Sequence, residues 1–339
     1  MSTPVVIWGA GAIGGIIGAF LHRAGRQVTF VDVVPDHVAA IRDGALRIEG
    51  PVAEFTTGGP ALLPQEVTGQ YPLIILAVKA HHTEAATRAL LPHLAEDGAV
   101  VSCQNGLNEL VIADIVGRDR TIGAFVNFYA DYLEPGRLHY AKRGAVVVGE
   151  LDGVRTPRIA ALHETLRIFE PNAVLSDNIF GYLWGKAGYG AILKASALTN
   201  DTIADFIADP ARRAMIIALV QEILAVARAD GVVPLGFDGF DPGAFLRDDA
   251  AAMTECLAVL ERMNRASAKP RSGIWRDLAV RKRGTDVAAQ LAPVRAAARR
   301  LGLTTPLADR LVALVDDIEA GRRPIGPDLA DELSAEFLP

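Results

Sequence analysis

The chain has 339 residues, half of them hydrophobic and 22% charged, with 34 Lys and Arg against 40 Asp and Glu for a formal charge of −6. That length favours two domains, and that balance offers no basic surface to nucleic acid or an anionic membrane. Two cysteines, Cys103 and Cys256, exclude a disulfide framework and fit a reducing cytoplasm, while the glycine-broken stretch from Met1 to His22 lacks a basic start and reads as neither signal peptide nor membrane span.

Val5 to Trp8 is a short apolar run ending in glycines, the pattern of a fully buried strand, and Ile13 to Arg23 continues as a helix that stops before Gly25. Gln27 to Val31 reads as a strand, Asp36 to Asp43 as a helix, and Leu73 to Val78 as a strand. His82 to Leu94 then suits a helix, with Ala99 to Ser102, Thr121 to Phe125 and Gly144 to Gly149 as further strands. Strands alternating with helices predict a doubly wound, Rossmann-type parallel sheet over residues 1–175. Beyond Leu175 the texture becomes alanine-rich, with apolar residues three and four apart. Helices are predicted around Gly181–Ala197, Ala211–Asp230, Ala250–Ala266, Val287–Leu301 and Pro306–Glu319, forming an all-α C-terminal domain over 176–339. Arg281-Lys282-Arg283 reads as a solvated basic loop.

Gly9-Ala10-Gly11-Ala12-Ile13-Gly14 matches G-x-G-x-x-G directly after a strand and directly opening a helix. The first glycine permits a tight turn, the second lets a pyrophosphate approach the backbone, and the third allows close helix–strand packing. Asp32 follows the second strand, 18 residues after Gly14. A carboxylate there accepts from the adenosine ribose hydroxyls and repels a 2′-phosphate. No Lys or Arg lies between Asp32 and Arg42, and only His37 could help hold such a phosphate, so NAD is expected over NADP.

Three further segments, Ala77-Val78-Lys79-Ala80, Gln104-Asn105-Gly106-Leu107 and Trp184-Gly185-Lys186, resemble those of the ketopantoate reductase family, two-domain enzymes that reduce 2-dehydropantoate with NADPH. The likeness runs essentially end to end, through Gly149-Glu150-Leu151-Asp152-Gly153. It implies that Lys186 is the general acid of carbonyl reduction and, when neutral, the base of the reverse reaction. It also implies that Asn105 lies near the nicotinamide ribose and substrate, and that Lys79 lines the cofactor cleft. A turn role for Asn105-Gly106 and a solvent-facing Lys186 stay open as plainer alternatives.

The departures from that pattern are specific. The family's lysine-bearing helix carries asparagines four and eight residues on, where this chain has Gly190 and Lys194. The family's substrate serine falls on Gly273, with Ser272 just before it, and Asp286 replaces its glutamate, after one extra residue between Asp277 and Asp286. Losing amides that paired pantoate's polar groups argues for another substrate. Lys194 shares a face with Lys186, so it could hold a substrate carboxylate or equally reach solvent. The expectation is an NAD-dependent oxidoreductase acting on a hydroxy acid or alcohol, or its keto form. An authentic NADPH-dependent 2-dehydropantoate 2-reductase and a non-catalytic dinucleotide-sensing protein stay open beside it. Cys103 and Cys256 read as buried small hydrophobes, the adjacent His81 and His82 should project apart, no metal site is expected, and the helical domain leaves room for a homodimer.

Overall fold

A computed structural model describes residues 3–267 and 269–335. The chain divides into two compact units, the first running to Ile179 and the second starting at Phe180. In the first, the strands are β1 (Val5–Trp8), β2 (Val28–Val31), β3 (Leu46–Glu49), β4 (Phe55–Thr57), β5 (Ala61–Leu62), β6 (Tyr71–Leu76), β7 (Leu94–Ser102), β8 (Thr121–Val126), β9 (Tyr129–Glu134), β10 (Arg137–Lys142), β11 (Val146–Glu150) and β12 (Val174–Leu175). The helices are α1 (Ala12–Arg23), α2 (Pro35–Arg42), α3 (Thr83–Leu90), α4 (Asn108–Val116) and α5 (Pro157–Leu166).

The larger sheet runs β12-β11-β8-β7-β6-β1-β2-β5, parallel throughout except where β11 meets β8. Val5 and Ile7 of β1 enter one core and Val6 and Trp8 the other. Because successive side chains point to opposite faces and both are covered, the strand reads as an unbroken apolar run. The strand order reverses between β1 and β6, and the loops after these two strands open at the crevice where such sheets bind ligands. This is the expected doubly wound Rossmann-type domain.

A second sheet, β4-β3-β10-β9, was not anticipated from the sequence. Leu46, Ile48, Leu138 and Tyr140 from it join the core that buries α1. Its central pair, β3 and β10, is parallel and joins segments far apart in the chain, so local patterning does not announce it. β9 and β10 form a hairpin around Pro135-Gly136, with Gly136 at φ +77°.

The second unit is helical, apart from a single bridge between Phe237 and Phe240 among the described residues. It comprises α6 (Ile179–Ser196), α7 (Ile203–Ala208), α8 (Arg213–Ala229), α9 (Pro242–Leu246), α10 (Ala250–Arg265), α11 (Gly273–Trp275), α12 (Val287–Arg300), α13 (Pro306–Glu319) and α14 (Pro327–Ala335). Glu222 of α8 ties it together, its carboxylate accepting from the Leu307 and Ala308 amides at 3.0 and 2.8 Å at the start of α13. Burial nonetheless raises that carboxyl's pKa. The Arg281-Lys282-Arg283 run is not merely a solvated loop. Arg281 Nη1 and Arg283 Nε each donate at 2.9 Å to Oδ1 of the buried Asp277, because a carboxylate inside the fold needs charged donors. Among the described residues no helix is long and apolar enough to cross a membrane. Cys103 and Cys256 are buried, as expected.

Candidate active site

The loop between β1 and α1 is shaped by contacts that only glycine tolerates. Gly9 sits at φ +97°, and a methyl group there would stand 2.9 Å from the Ala77 carbonyl carbon and the Val78 nitrogen at the end of β6. One on Gly14 would collide with the Gly9 carbonyl and stand 2.9 Å from Ala77 Cβ and Ile7 Cγ2. Gly11 is the opposite case, since a methyl there would meet open space. Gly11 is also the N-cap of α1 and supplies no side-chain cap, so the first-turn amides, Ala12 and Ile13 among them, receive no side-chain acceptor from it. Open room against uncapped helix amides fits a dinucleotide pyrophosphate.

Ala10 is held from behind by a side chain whose role the sequence did not reveal. His37 is fully buried. Its Nδ1 accepts from the Gly136 amide at 2.9 Å, so Nε2 carries the proton and donates to the Ala10 carbonyl at 2.8 Å. The imidazole thus ties the glycine loop to the β9–β10 turn. Since both nitrogens are engaged, His37 does not serve a 2′-phosphate, the only cofactor role the sequence left open to it. Replacing His37 by Phe should raise the Kd for NAD about tenfold, the scale of one lost buried hydrogen-bond pair, with partial recovery in His37→Gln. Calorimetric titration of NAD into the three proteins checks this, and an unchanged Kd in His37→Phe would dismiss the buttress.

Asp32 lies just past β2, half-buried, with Oδ1 accepting from the Val34 amide at 3.1 Å. The next cation along the chain, Arg42, is committed elsewhere. It donates through Nε and Nη2 to the Ala61 carbonyl at 3.1 and 2.7 Å, and pairs with Glu66 at 3.0 Å. The Tyr132 hydroxyl beside them is pushed above its usual pKa by burial and by the charges of Asp32 and Asp36.

Lys79 and Asn105 follow the carboxyl ends of the neighbouring strands β6 and β7, Lys79 half-buried and Asn105 exposed. A buried amide network fixes the backbone beneath them. Gln104 Nε2 donates to the Val78 carbonyl at 2.9 Å and to Thr83 Oγ1 at 2.8 Å. Thr83 in turn donates to Asn108 Oδ1 at 3.0 Å, and Asn108 Nδ2 reaches the Asn105 carbonyl at 2.7 Å. The sequence flagged Gln104 as part of a motif without seeing this scaffolding work. The His81 and His82 rings do not project apart, their centroids being 4.0 Å from each other, because the chain turns tightly at Ala80–His82.

In the helical unit, α6 explains its Trp-Gly-Lys motif. Trp184 is buried, and the Leu235 backbone presses on Gly185, where any side chain would strike the Leu235 carbonyl. Leu235 also donates its amide to the Gly181 carbonyl at 2.8 Å. Lys186, half-buried, therefore starts from a rigid stretch of helix. Gly190, four residues on, leaves a notch that Lys194 occupies. Lys194 Nζ would stand 3.2 Å from a methyl group at Gly190 and donates to the Gly190 carbonyl at 3.4 Å. Lys194 is thus folded back along its helix, 4% exposed, and does not reach solvent. Burial pushes its ammonium down to about 8, against the opposing pull of the Asp286 carboxylate.

Asp286 occupies the N-cap position of α12 and is half-buried, and its charge acts on Lys194, which in turn lies over Gly190. Ser272 caps a helix. It is buried, and its hydroxyl accepts from the Trp275 amide at 3.1 Å, capping α11. Gly273 beside it is exposed, with open space where a side chain would extend.

A doubly wound sheet with a glycine loop opening its first helix and an acid after its second strand, followed by a helical unit bearing a half-buried lysine, is the two-unit architecture of a nicotinamide-dinucleotide oxidoreductase. The family pattern described as Ketopantoate reductase PanE/ApbA matches residues 5–153, and that of its C-terminal region matches 178–319. The chain belongs to the ketopantoate reductase family. It is 30% identical over 284 residues to the 2-dehydropantoate 2-reductase of Mesorhizobium japonicum, covering 76% of this chain and 86% of that protein. A PanE/ApbA family ketopantoate reductase from Ralstonia eutropha JMP134 superposes with a TM-score of 0.78 at 26% identity, over 94% of this chain and 99% of that one. The fold is also that of a D-mandelate dehydrogenase solved with NADH and anilino(oxo)acetate, with a TM-score of 0.79 at 23% identity over 94% and 99% of the two chains.

Proposed function

We propose that this chain is an NAD-dependent oxidoreductase that moves a hydride between nicotinamide and a hydroxy acid or alcohol, or its keto form, other than pantoate, with Lys186 as general acid and base. The main support is the α6 face. Lys186 keeps the family's motif there, while the two positions that the family fills with asparagines carry a glycine and a buried ammonium folded back over it. A site that has exchanged neutral amides for a cation no longer matches the uncharged hydroxyl of pantoate.

When bound, the dinucleotide supplies or accepts the hydride. Gly11 leaves room for its pyrophosphate against the opening of α1, Gly9 and Gly14 let strand, loop and helix pack closely around it, and Lys79 and Asn105 lie at the neighbouring strand ends. In reduction Lys186 gives a proton to the substrate oxygen and offsets the charge developing there. In oxidation its neutral amine takes the proton from the hydroxyl. The preference for NAD rests on Asp32, which accepts from ribose hydroxyls and repels a 2′-phosphate, with His37 and Arg42 both engaged away from that place.

Asp32→Ser should lower the NAD-to-NADP ratio of kcat/KM by about 100-fold, the scale of removing one buried charge conflict. Steady-state rates with both cofactors measure it, and an unmoved ratio would sink the assignment. The whole reading is tested by following reduced-nicotinamide absorbance, first with 2-dehydropantoate and then in reverse with NAD and a panel of hydroxy acids. Fast reduction of 2-dehydropantoate with NADPH would instead mark an authentic ketopantoate reductase. NAD binding without turnover anywhere on the panel would mark a dinucleotide sensor.

A further inference from the structure

We infer that the Gly190 notch and the Lys194 ammonium form a receptor for a second carboxylate, so that the substrate is a hydroxy or oxo acid carrying two carboxylate groups. This rests on the reading of Lys186 as the proton carrier at the reacting oxygen.

Three features converge. First, an ammonium offers three donors, yet among the described residues Lys194 makes one hydrogen bond, a long one of 3.4 Å, to a carbonyl of its own helix. A charge that is 4% exposed and so poorly bonded is costly unless an anion completes it. Second, the notch is specific to this arrangement. Nζ stands 3.2 Å from where a side chain at position 190 would begin, tighter than ordinary contact, so the glycine leaves the room that the lysine uses. An asparagine at 190 would press on the ammonium and displace it. Third, the counter-charge on the protein, Asp286, belongs to another helix and is only half-buried, which leaves the ammonium partly uncompensated.

Lys194 folds back to the level of Gly190, about one helical turn along the same face from the residue that carries the proton, so both groups belong to one face of α6. A neutral amide pair accepts and donates without favouring charge, whereas an ammonium buried in low dielectric discriminates strongly for an anion.

The test compares kcat/KM for 2-oxoglutarate and 2-oxopentanoate, acids of equal length that differ in the second carboxylate, using the full chain with NADH. The wild type should prefer the diacid by about 100-fold, the size usual for completing one buried charge pair. Lys194→Met, and separately the Gly190→Asn/Lys194→Asn double variant, should bring the ratio to about unity. Calorimetric binding of glutarate against pentanoate, with NAD present, gives a second readout that needs no turnover. Equal or better use of the monoacid overturns the second-carboxylate receptor while leaving the hydroxy-acid chemistry standing. Failure of every keto acid to react, with selective glutarate binding lost in Lys194→Met, upholds the receptor and removes the proposed reaction. Glutarate binding no tighter than pentanoate overturns the receptor whatever the rates show.

Discussion

Lys186→Met is expected to lower kcat by about 10²- to 10⁴-fold, the usual range for losing a general acid–base group, with the KM for the dinucleotide nearly unchanged. Methionine keeps the length and the apolar stem of lysine, so packing on α6 is preserved and only the transferable proton is removed. The helix beneath cannot shift to compensate, because Trp184 is buried and the Leu235 backbone bears on Gly185. Lys186→Arg separates the two halves of the role. A guanidinium still donates a hydrogen bond to the substrate oxygen but stays protonated at any working pH, so it cannot serve as a base. Oxidation near neutrality should therefore fall as far in the arginine variant as in the methionine one, while reduction keeps part of its rate. Initial rates in both directions, for both variants, decide it. A loss of less than about threefold in Lys186→Met would remove Lys186 from the chemistry.

The parts of this protein that were legible in the sequence are those with local causes. β1, the glycine loop and α1 were placed to within a residue, because an apolar run, a G-x-G-x-x-G pattern and a helical run follow one another directly in the chain. The long helices of the second unit, such as α8 and α10, announce themselves by apolar residues at helical spacing. The second sheet did not, because β3 and β4 are only four and three residues long and the β3–β10 pairing is set by tertiary contact. Its readable signal was Pro135-Gly136 between two six-residue runs, Tyr129–Glu134 and Arg137–Lys142. The site divides in the same way. Helical periodicity placed Gly190 and Lys194 on one face with Lys186, but not which way the long side chain folds. That depends on the room at Gly190 and the carboxylate of Asp286, which no spacing rule reports. His37 was likewise visible as a residue but not as a buttress, since its second partner, Gly136, lies 99 positions away.

Lys194→Met should stabilise the fold by about 2–3 kcal/mol near neutral pH, because the native state carries a buried ammonium that the unfolded chain leaves hydrated. The sign follows from the pKa. In the unfolded chain Lys194 titrates at 10.5, and in the native state at about 8, lowered by burial more than Asp286 restores it. Below about 8 both states are protonated, and the native state bears the full penalty of the buried charge. Between 8 and 10.5 the native amine is already neutral while the unfolded one still holds its proton, so the penalty fades as pH rises and is gone above 10.5. The methionine variant's advantage should accordingly be largest at pH 7 and mostly lost by pH 10, a difference that other titrating groups, common to both proteins, do not disturb. Urea unfolding of the two proteins at both values measures it through the shift in midpoint at constant m. A variant less stable than the wild type at pH 7 would mean that Lys194 is fully paired in the folded chain. A gain that vanishes when glutarate is added would tie the stored penalty to the ligand, since an anion that binds only the native wild type restores stability by mass action. A lysine kept at such a cost in the folded state, on the face that also carries Lys186, is what a binding function retained against stability looks like.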